Sequence, residues 1–173
     1  MHGLSLKQVF WLLLALLLPC TWAMGQIDLG LRNATSPNGI VSFEFCAYSA
    51  SCMDTLTAWG AEGQRYAMLS LGLDFLFMLL YPGFIAVCLL LIAAHLSPRL
   101  KQVTVFAAWL TVAMWLADAI ETYSLTQIVL RQSDALYGPL AAAFASIKFS
   151  ILGISVFWLL CAILCVVLKP KTS

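Results

Sequence analysis

The chain has 173 residues, of which 62% are hydrophobic and 10% are charged, whereas soluble domains carry about 25% charged residues. Its length suits a single domain. The net charge of +1 provides neither a basic face for nucleic acid nor an acidic tail. The six cysteines form no CxxC pair and no Cys/His spacing suited to zinc. Apolar segments of about eighteen residues or more instead predict an all-α membrane protein, a four-helix transmembrane bundle in contact with the lipid bilayer.

The first apolar segment, residues 7–24, has two interpretations. Lys7, a short apolar centre and the small residues around Ala23 and Gly25 are typical of a cleaved secretory signal. The same segment is also just long enough to span a membrane as a retained helix, in which Pro19 would cause a bend. The retained helix is the preferred interpretation, and both leave the following segment on the same side of the membrane.

Residues 26–65 form the only sizeable polar segment of the sequence. Residues 40–45 alternate between apolar and polar, which predicts a short strand or an extended interfacial piece. A short helix is expected next, with Leu56 and Trp59 facing the membrane. Cys46 and Cys52 form a disulfide if this segment is extracytoplasmic, and a pair of free thiols is the equal alternative.

Three further membrane helices are predicted, over residues 66–94, 103–126 and 138–168. Pro82 and Gly83 are expected to interrupt the second helix of the bundle.

The distribution of lysine and arginine predicts the orientation. Five basic residues fall on one side, namely Lys7, Arg99, Lys101, Lys169 and Lys171. Three fall on the other, namely Arg32, Arg65 and Arg131. Both termini are therefore predicted to be cytoplasmic and residues 26–65 to be extracytoplasmic.

Four ionisable residues interrupt these apolar segments: Asp74, Asp118, Glu121 and Lys148. With a rise of about 1.5 Å per residue, Asp74, Glu121 and Lys148 each lie roughly 13–17 Å from the outer end of their helix, and Asp118 lies about one turn deeper. Charge inside a bilayer is costly, so such side chains usually face the bundle interior and pair. The sequence therefore predicts one charged layer in the outer half of the bundle.

Several functions are compatible with such a layer. The first hypothesis is non-enzymatic: it is binding or passage of protons or of a small amphipathic or cationic ligand. Asp74 and Glu121 would act as acceptors beside Asp118, Lys148 as the counter-charge and Tyr81 as a hydroxyl donor. The charges could alternatively be purely structural, in a subunit whose residues 40–59 dock a membrane-protein partner. A third alternative is an intramembrane isomerase that uses a paired acid and carboxylate.

Short motifs also suggest a family. The segment Gly39–Glu44, Leu73-Asp-Phe-Leu-Phe77 and Asp118-Ala-Ile-Glu121 resemble a group of uncharacterised bacterial four-helix inner-membrane proteins. That group shows an acidic residue followed by Phe-x-Phe in its second helix and Asp-x-x-Glu-Asn in its third, and Thr122 stands here in place of the Asn. The resemblance implies a four-helix topology in the bacterial inner membrane.

Overall fold

The computed structural model describes residues 3–49, 51–131 and 133–168, so Lys169 and Lys171 lie outside the described residues. Within these ranges the fold is all-α and no strand is found. The helices are α1 (Leu6–Leu29), α2 (Ile40–Glu44), α3 (Cys46–Ser49), α4 (Cys52–Ala93), α5 (Pro98–Val129) and α6 (Asp134–Val167). The four long helices α1, α4, α5 and α6 are each long and apolar enough to cross a membrane.

Local sequence explains where these long helices begin. Ser5 and Gln8 form a capping box at the start of α1. The Ser51 hydroxyl accepts a hydrogen bond from the Met53 backbone at the start of α4. Pro98 occupies the first turn of α5, where a missing backbone N–H costs nothing.

The long helices alternate in direction, because the contacts between neighbouring helices pair later residues of one with earlier residues of the other. Helix α5 packs against α4 and α6, and α1 packs against α4 at the edge of the bundle. The short helices α2 and α3 lie together on α4, α5 and α6. We call the end that they cover the α2–α3 end, and the end near the α4–α5 turn the opposite end. Two apolar cores lie one at each end, and both include residues of α4 and α5.

Residues 40–45 were predicted to be extended, and this prediction was wrong. They form α2 because Gly39, with φ of 58°, turns the chain and the Ile40 N–H donates to Asp28 Oδ1 at 2.8 Å. The turn places Phe43 and Glu44 on the buried side. The described residues offer no strand with which an extended segment could pair.

Two further expectations were also wrong. Leu56 and Trp59 are buried rather than facing the membrane. Leu56 belongs to the apolar core at the α2–α3 end, and the Trp59 indole donates to Leu31 O at 2.7 Å and to Ser36 Oγ at 2.8 Å. Helix α4 continues through Pro82 and is broken instead at Gly60, whose φ of 60° is accessible to glycine.

Candidate functional site

Lys148 of α6 lies at the centre of a buried ionic network. Its Nζ is 2.8 Å from both carboxylate oxygens of Glu121 and 3.1 Å from Asp118 Oδ1. Asp118 and Glu121 are three residues apart on α5, so both carboxylates project from one helix face toward α6. Glu121, Asp118 and Lys148 are all buried. The structure therefore brings three of the sequence-predicted site residues into direct contact.

Helix α4 supplies the other two predicted site residues. The Tyr81 hydroxyl donates to Asp118 Oδ2 at 2.8 Å, and the Asp74 carboxylate accepts from Thr122 Oγ1 at 2.6 Å. Asp74 thus contacts α5 one residue beyond Glu121. Among the described residues, no lysine, arginine or histidine nitrogen lies within 4.0 Å of Asp74. Asp74 is therefore the acid of the group that lacks a close cationic partner.

Glu44 is a fifth charged residue at the site, and the sequence analysis did not assign it there. It extends from the end of α2, is 8% exposed, and places Oε1 3.5 Å from Lys148 Nζ. The signal for it was the single charged residue within residues 40–45, a segment that is otherwise uncharged and mostly apolar. Thr122 was also missed as a partner of Asp74. We call the five charged residues Glu44, Asp74, Asp118, Glu121 and Lys148 the charged cluster.

The charged cluster contains four carboxyl groups and one ammonium group. Burial raises the pKa of Glu44 to about 7, while the Lys148 ammonium opposes that rise. Glu44 Oε2 is buried and has no hydrogen-bond partner among the described residues. Asp118 Oδ1 and Glu121 Oε2 are also buried without a hydrogen bond among the described residues, although both face Lys148 Nζ, at 3.1 and 2.8 Å. The cluster is thus an acid-rich site in which the hydrogen-bonding capacity of the carboxylates is only partly used.

A cavity of about 370 Å³ adjoins the charged cluster. Acidic residues and Lys148 line it together with aromatic and aliphatic side chains. Its lining consists of Leu17, Met24, Ile40, Val41, Glu44, Asp74, Phe77, Tyr81, Phe84, Ile85, Asp118, Lys148, Phe149 and Leu152. We call this space the acidic cavity. It combines charge with apolar surface, as ligand sites commonly do.

A second space of about 500 Å³ lies between α4 and α5, and none of the described residues that line it is charged. Met78, Leu79, Trp109 and Trp115 are among its walls, and Trp109 is 70% exposed. We call it the α4–α5 groove. Although it is larger, its described lining residues include no carboxylate to balance a cation or to exchange a proton, so the acidic cavity is the candidate site.

A disulfide, a hydrogen bond and an aromatic contact hold the α2–α3 segment above the acidic cavity. Cys46 and Cys52 form a disulfide, with Cα atoms 4.9 Å apart, which joins α3 to the first residue of α4. The hydrogen bond from Ile40 N to Asp28 ties the start of α2 to α1. The rings of Phe45 and Phe149 stack with centroids 5.8 Å apart, which connects the α2–α3 segment to α6. Glu44 is therefore positioned by contacts on three sides.

The described residues contain no group of three or more His, Cys, Asp or Glu side chains arranged to hold a metal ion. Within the charged cluster, the Lys148 ammonium occupies the point on which Asp118 and Glu121 converge. A divalent ion at that point would have to displace a lysine that already satisfies both carboxylates.

The fold and the buried charges define an all-α, multi-pass type of membrane protein with four apolar helices and an acidic cavity. No protein-family model, curated protein or solved structure matches this chain. The resemblance to bacterial four-helix inner-membrane proteins therefore stays a prediction.

Proposed function

We propose that the protein binds a small amphipathic cation in the acidic cavity, at the α2–α3 end of the bundle. The observation that carries this proposal is the excess of acid around one cavity: Glu44, Asp74 and Asp118 line it beside the single ammonium of Lys148. That ammonium is shared with a further carboxylate, Glu121, which does not line the cavity. We further propose that the α2–α3 end faces outward from a bacterial inner membrane, with both termini in the cytoplasm.

Charge balance supports a cationic ligand. Ionised carboxylates inside a membrane protein are expensive unless they are paired or protonated. Lys148 compensates Asp118 and Glu121 at contact distance. Among the described side chains, by contrast, Asp74 accepts a hydrogen bond from the Thr122 hydroxyl alone. A ligand ammonium near Asp74 and Glu44 would supply the missing positive charge.

The aromatic walls of the acidic cavity favour an organic cation over a bare metal ion. Phe77, Tyr81, Phe84 and Phe149 all line the cavity. Ring faces attract ammonium groups, by roughly 2 kcal/mol or more where water is excluded. Lys148 Nζ already lies 4.8 Å from the Phe149 ring centroid, so one cation–π contact of this type is present.

The other half of the bundle favours binding over passage of protons or ions. Between Tyr81 and Ala93 in α4, the chain has no Asp, Glu, Lys, Arg or His, and the same holds for 102–117 of α5 and 149–167 of α6. The apolar core of Ile85, Leu89 and Met114 fills the space between these helices. A proton leaving the charged cluster toward the opposite end would meet no carboxylate or imidazole relay.

The test is equilibrium binding of benzylammonium, a small amphipathic cation, to the purified full chain at neutral pH. We expect it to raise the unfolding temperature, because a ligand present at 100 times its Kd stabilises the folded state by about 2.7 kcal/mol. Benzyl alcohol, which has the same ring and no charge, should give no shift. Equal shifts from both compounds would contradict the proposal.

Matched variants separate a binding site from a structural ion-pair network or a subunit docking surface. Asp74→Asn retains an oxygen that can accept from Thr122, so folding should persist while benzylammonium binding is lost. Glu62→Gln removes one charge from an exposed position of α4 and should bind as the unmodified protein does. If Asp74→Asn binds normally, the acids serve packing alone.

A further inference from the structure

The acidic cavity is enclosed unevenly. Helices α4 and α5 form its floor, with Asp74, Tyr81 and Asp118. Leu17 and Met24 of α1 lie on its wall, as do Phe149 and Leu152 of α6. Helix α1 packs against α4, whereas α1 and α6 are not extensively packed against each other. The side away from α4 and α5 is therefore a gap between two membrane-spanning helices.

The roof of the cavity is covered. Ile40, Val41 and Glu44 of α2 line it at the α2–α3 end, and α2 is tied down at Asp28 and through the neighbouring Cys46–Cys52 disulfide. The uncovered direction lies between α1 and α6, where the surrounding medium is hydrocarbon for a helix that spans the bilayer.

The chemistry of the lining changes along the same direction. Carboxylates and the Tyr81 hydroxyl lie on the floor and roof, and the α6 wall adds Lys148, which is buried against those carboxylates. The parts of the α1 and α6 walls nearest the gap present the apolar side chains of Leu17, Met24 and Leu152. Leu17, Met24 and Leu152 are each partly exposed, so a ligand between the two helices would contact them and also lipid. A polar head inside and an apolar chain outside would match this gradient.

We infer that the ligand is a single-chain aliphatic amine dissolved in the bilayer, which enters sideways between α1 and α6 and places its ammonium beside Asp74 and Glu44. This inference rests on the proposed function and adds the ligand class and the route. The cavity of about 370 Å³ is at the small end of ligand sites, roughly 300–1,000 Å³. It holds the head and the first part of one chain, and the remaining chain lies in lipid.

The experiment is photolabelling of the full chain in lipid nanodiscs with a long-chain alkylamine that carries a diazirine on its chain. Peptide mass spectrometry should find adducts enriched on α1 around Leu17 and Met24 and on α6 around Phe149 and Leu152. Excess benzylammonium should abolish the enrichment, because both compounds need the same acids. The alcohol of equal chain length should label the lipid-facing helices without that enrichment.

Filling the gap provides a second readout. The double variant Leu17→Trp, Leu152→Trp should lose the enriched alkylamine adducts and still bind benzylammonium, which needs no room for a chain. Leu16→Trp and Leu160→Trp are matched controls, since both leucines are exposed on α1 and α6 and neither lines the cavity. Both controls should label as the unmodified protein does.

The outcomes distinguish the two proposals. If benzylammonium binds but the alkylamine labels evenly, or labels the α4–α5 groove as the alcohol does, the lateral route is wrong and the cationic site stands. If benzylammonium fails to bind the unmodified protein, the proposed function is itself wrong. Should the double variant not fold, the adduct positions on the unmodified protein still decide the question.

Discussion

The two halves of the helix bundle are held together by different forces. At the α2–α3 end, Lys148 joins residues from α2 and α5, and Tyr81 and Thr122 add hydrogen bonds between α4 and α5. At the opposite end, Ile85, Leu89 and Met114 pack without charge, and a polar link between helices there is the bond from the Trp158 indole to Thr104 at 3.0 Å.

The two halves of the bundle should therefore differ in how they respond to substitutions. Apolar packing between helices tolerates substitutions that conserve volume. An ion network has to be complete, since a buried charge that loses its partner is costly. We therefore expect the charged half to respond strongly to single changes of charge and to pH, and the apolar half to respond to volume alone.

The largest effect is expected at Lys148. Lys148→Met should lower the free energy of unfolding by about 3–5 kcal/mol, because Asp118 and Glu121 would remain buried without a counter-ion. Reversible unfolding in mixed micelles measures this. Lys101→Met makes the same change at an exposed residue of α5 and should stay within about 0.5 kcal/mol. Adding Glu121→Gln to Lys148→Met should restore part of the lost stability, because it removes one of the unpaired carboxylates. If Lys148→Met alone is as stable as the unmodified protein, this lysine has no central role in the charged half.

The pH dependence of stability is the next largest expectation. Burial raises the pKa of Glu44 from 4.5 to about 7, so the folded chain retains this proton over a range in which the unfolded chain has lost it. Stability should therefore fall as the pH rises from 4.5 to about 7 and then level off, by about 1 kcal/mol per pH unit within that window.

Chemical unfolding of Glu44→Gln across the same pH range checks this assignment. The variant cannot ionise, so its stability should lose this part of the pH dependence. Glu62→Gln, at an exposed position, should keep the slope of the unmodified protein. A slope that persists in Glu44→Gln would assign the dependence to another group.

In the apolar half, Met114→Ala should cost about 2 kcal/mol, because Met114 is fully buried and its removal leaves a cavity. The cost should be the same at each pH, in contrast to the charged half. Leu116→Ala is the control, since Leu116 is 51% exposed on the same helix. A pH-dependent loss in Met114→Ala would mean that the two halves are coupled.

The level of the charged layer follows from the sequence because helical rise is fixed and a charge in lipid is expensive, which leaves few positions for Asp74, Asp118 and Lys148. The position of α2 over the acidic cavity, in contrast, could not be predicted from the sequence. Helix α2 depends on Asp28 receiving the Ile40 N–H, a contact twelve residues away in sequence. The same holds for Glu44, which reaches Lys148 across 104 residues, and for the break at Gly60, where a buried Trp59 anchors the preceding chain.

The smallest expected effect concerns Thr122, which connects α5 to Asp74. Asp74 is the acid of the charged cluster that has no cationic nitrogen within 4.0 Å among the described residues. Thr122→Val removes the 2.6 Å hydrogen bond to Asp74 and should cost about 1 kcal/mol, as interhelical hydrogen bonds in membranes typically do. Thr126→Val is the matched control, because the Thr126 hydroxyl donates to the carbonyl of Thr122 within its own helix. If both variants have the same free energy of unfolding, the hydrogen bond between Thr122 and Asp74 does not stabilise the packing of α4 against α5. The ionic contacts of Lys148 would then account for the stability of the charged half.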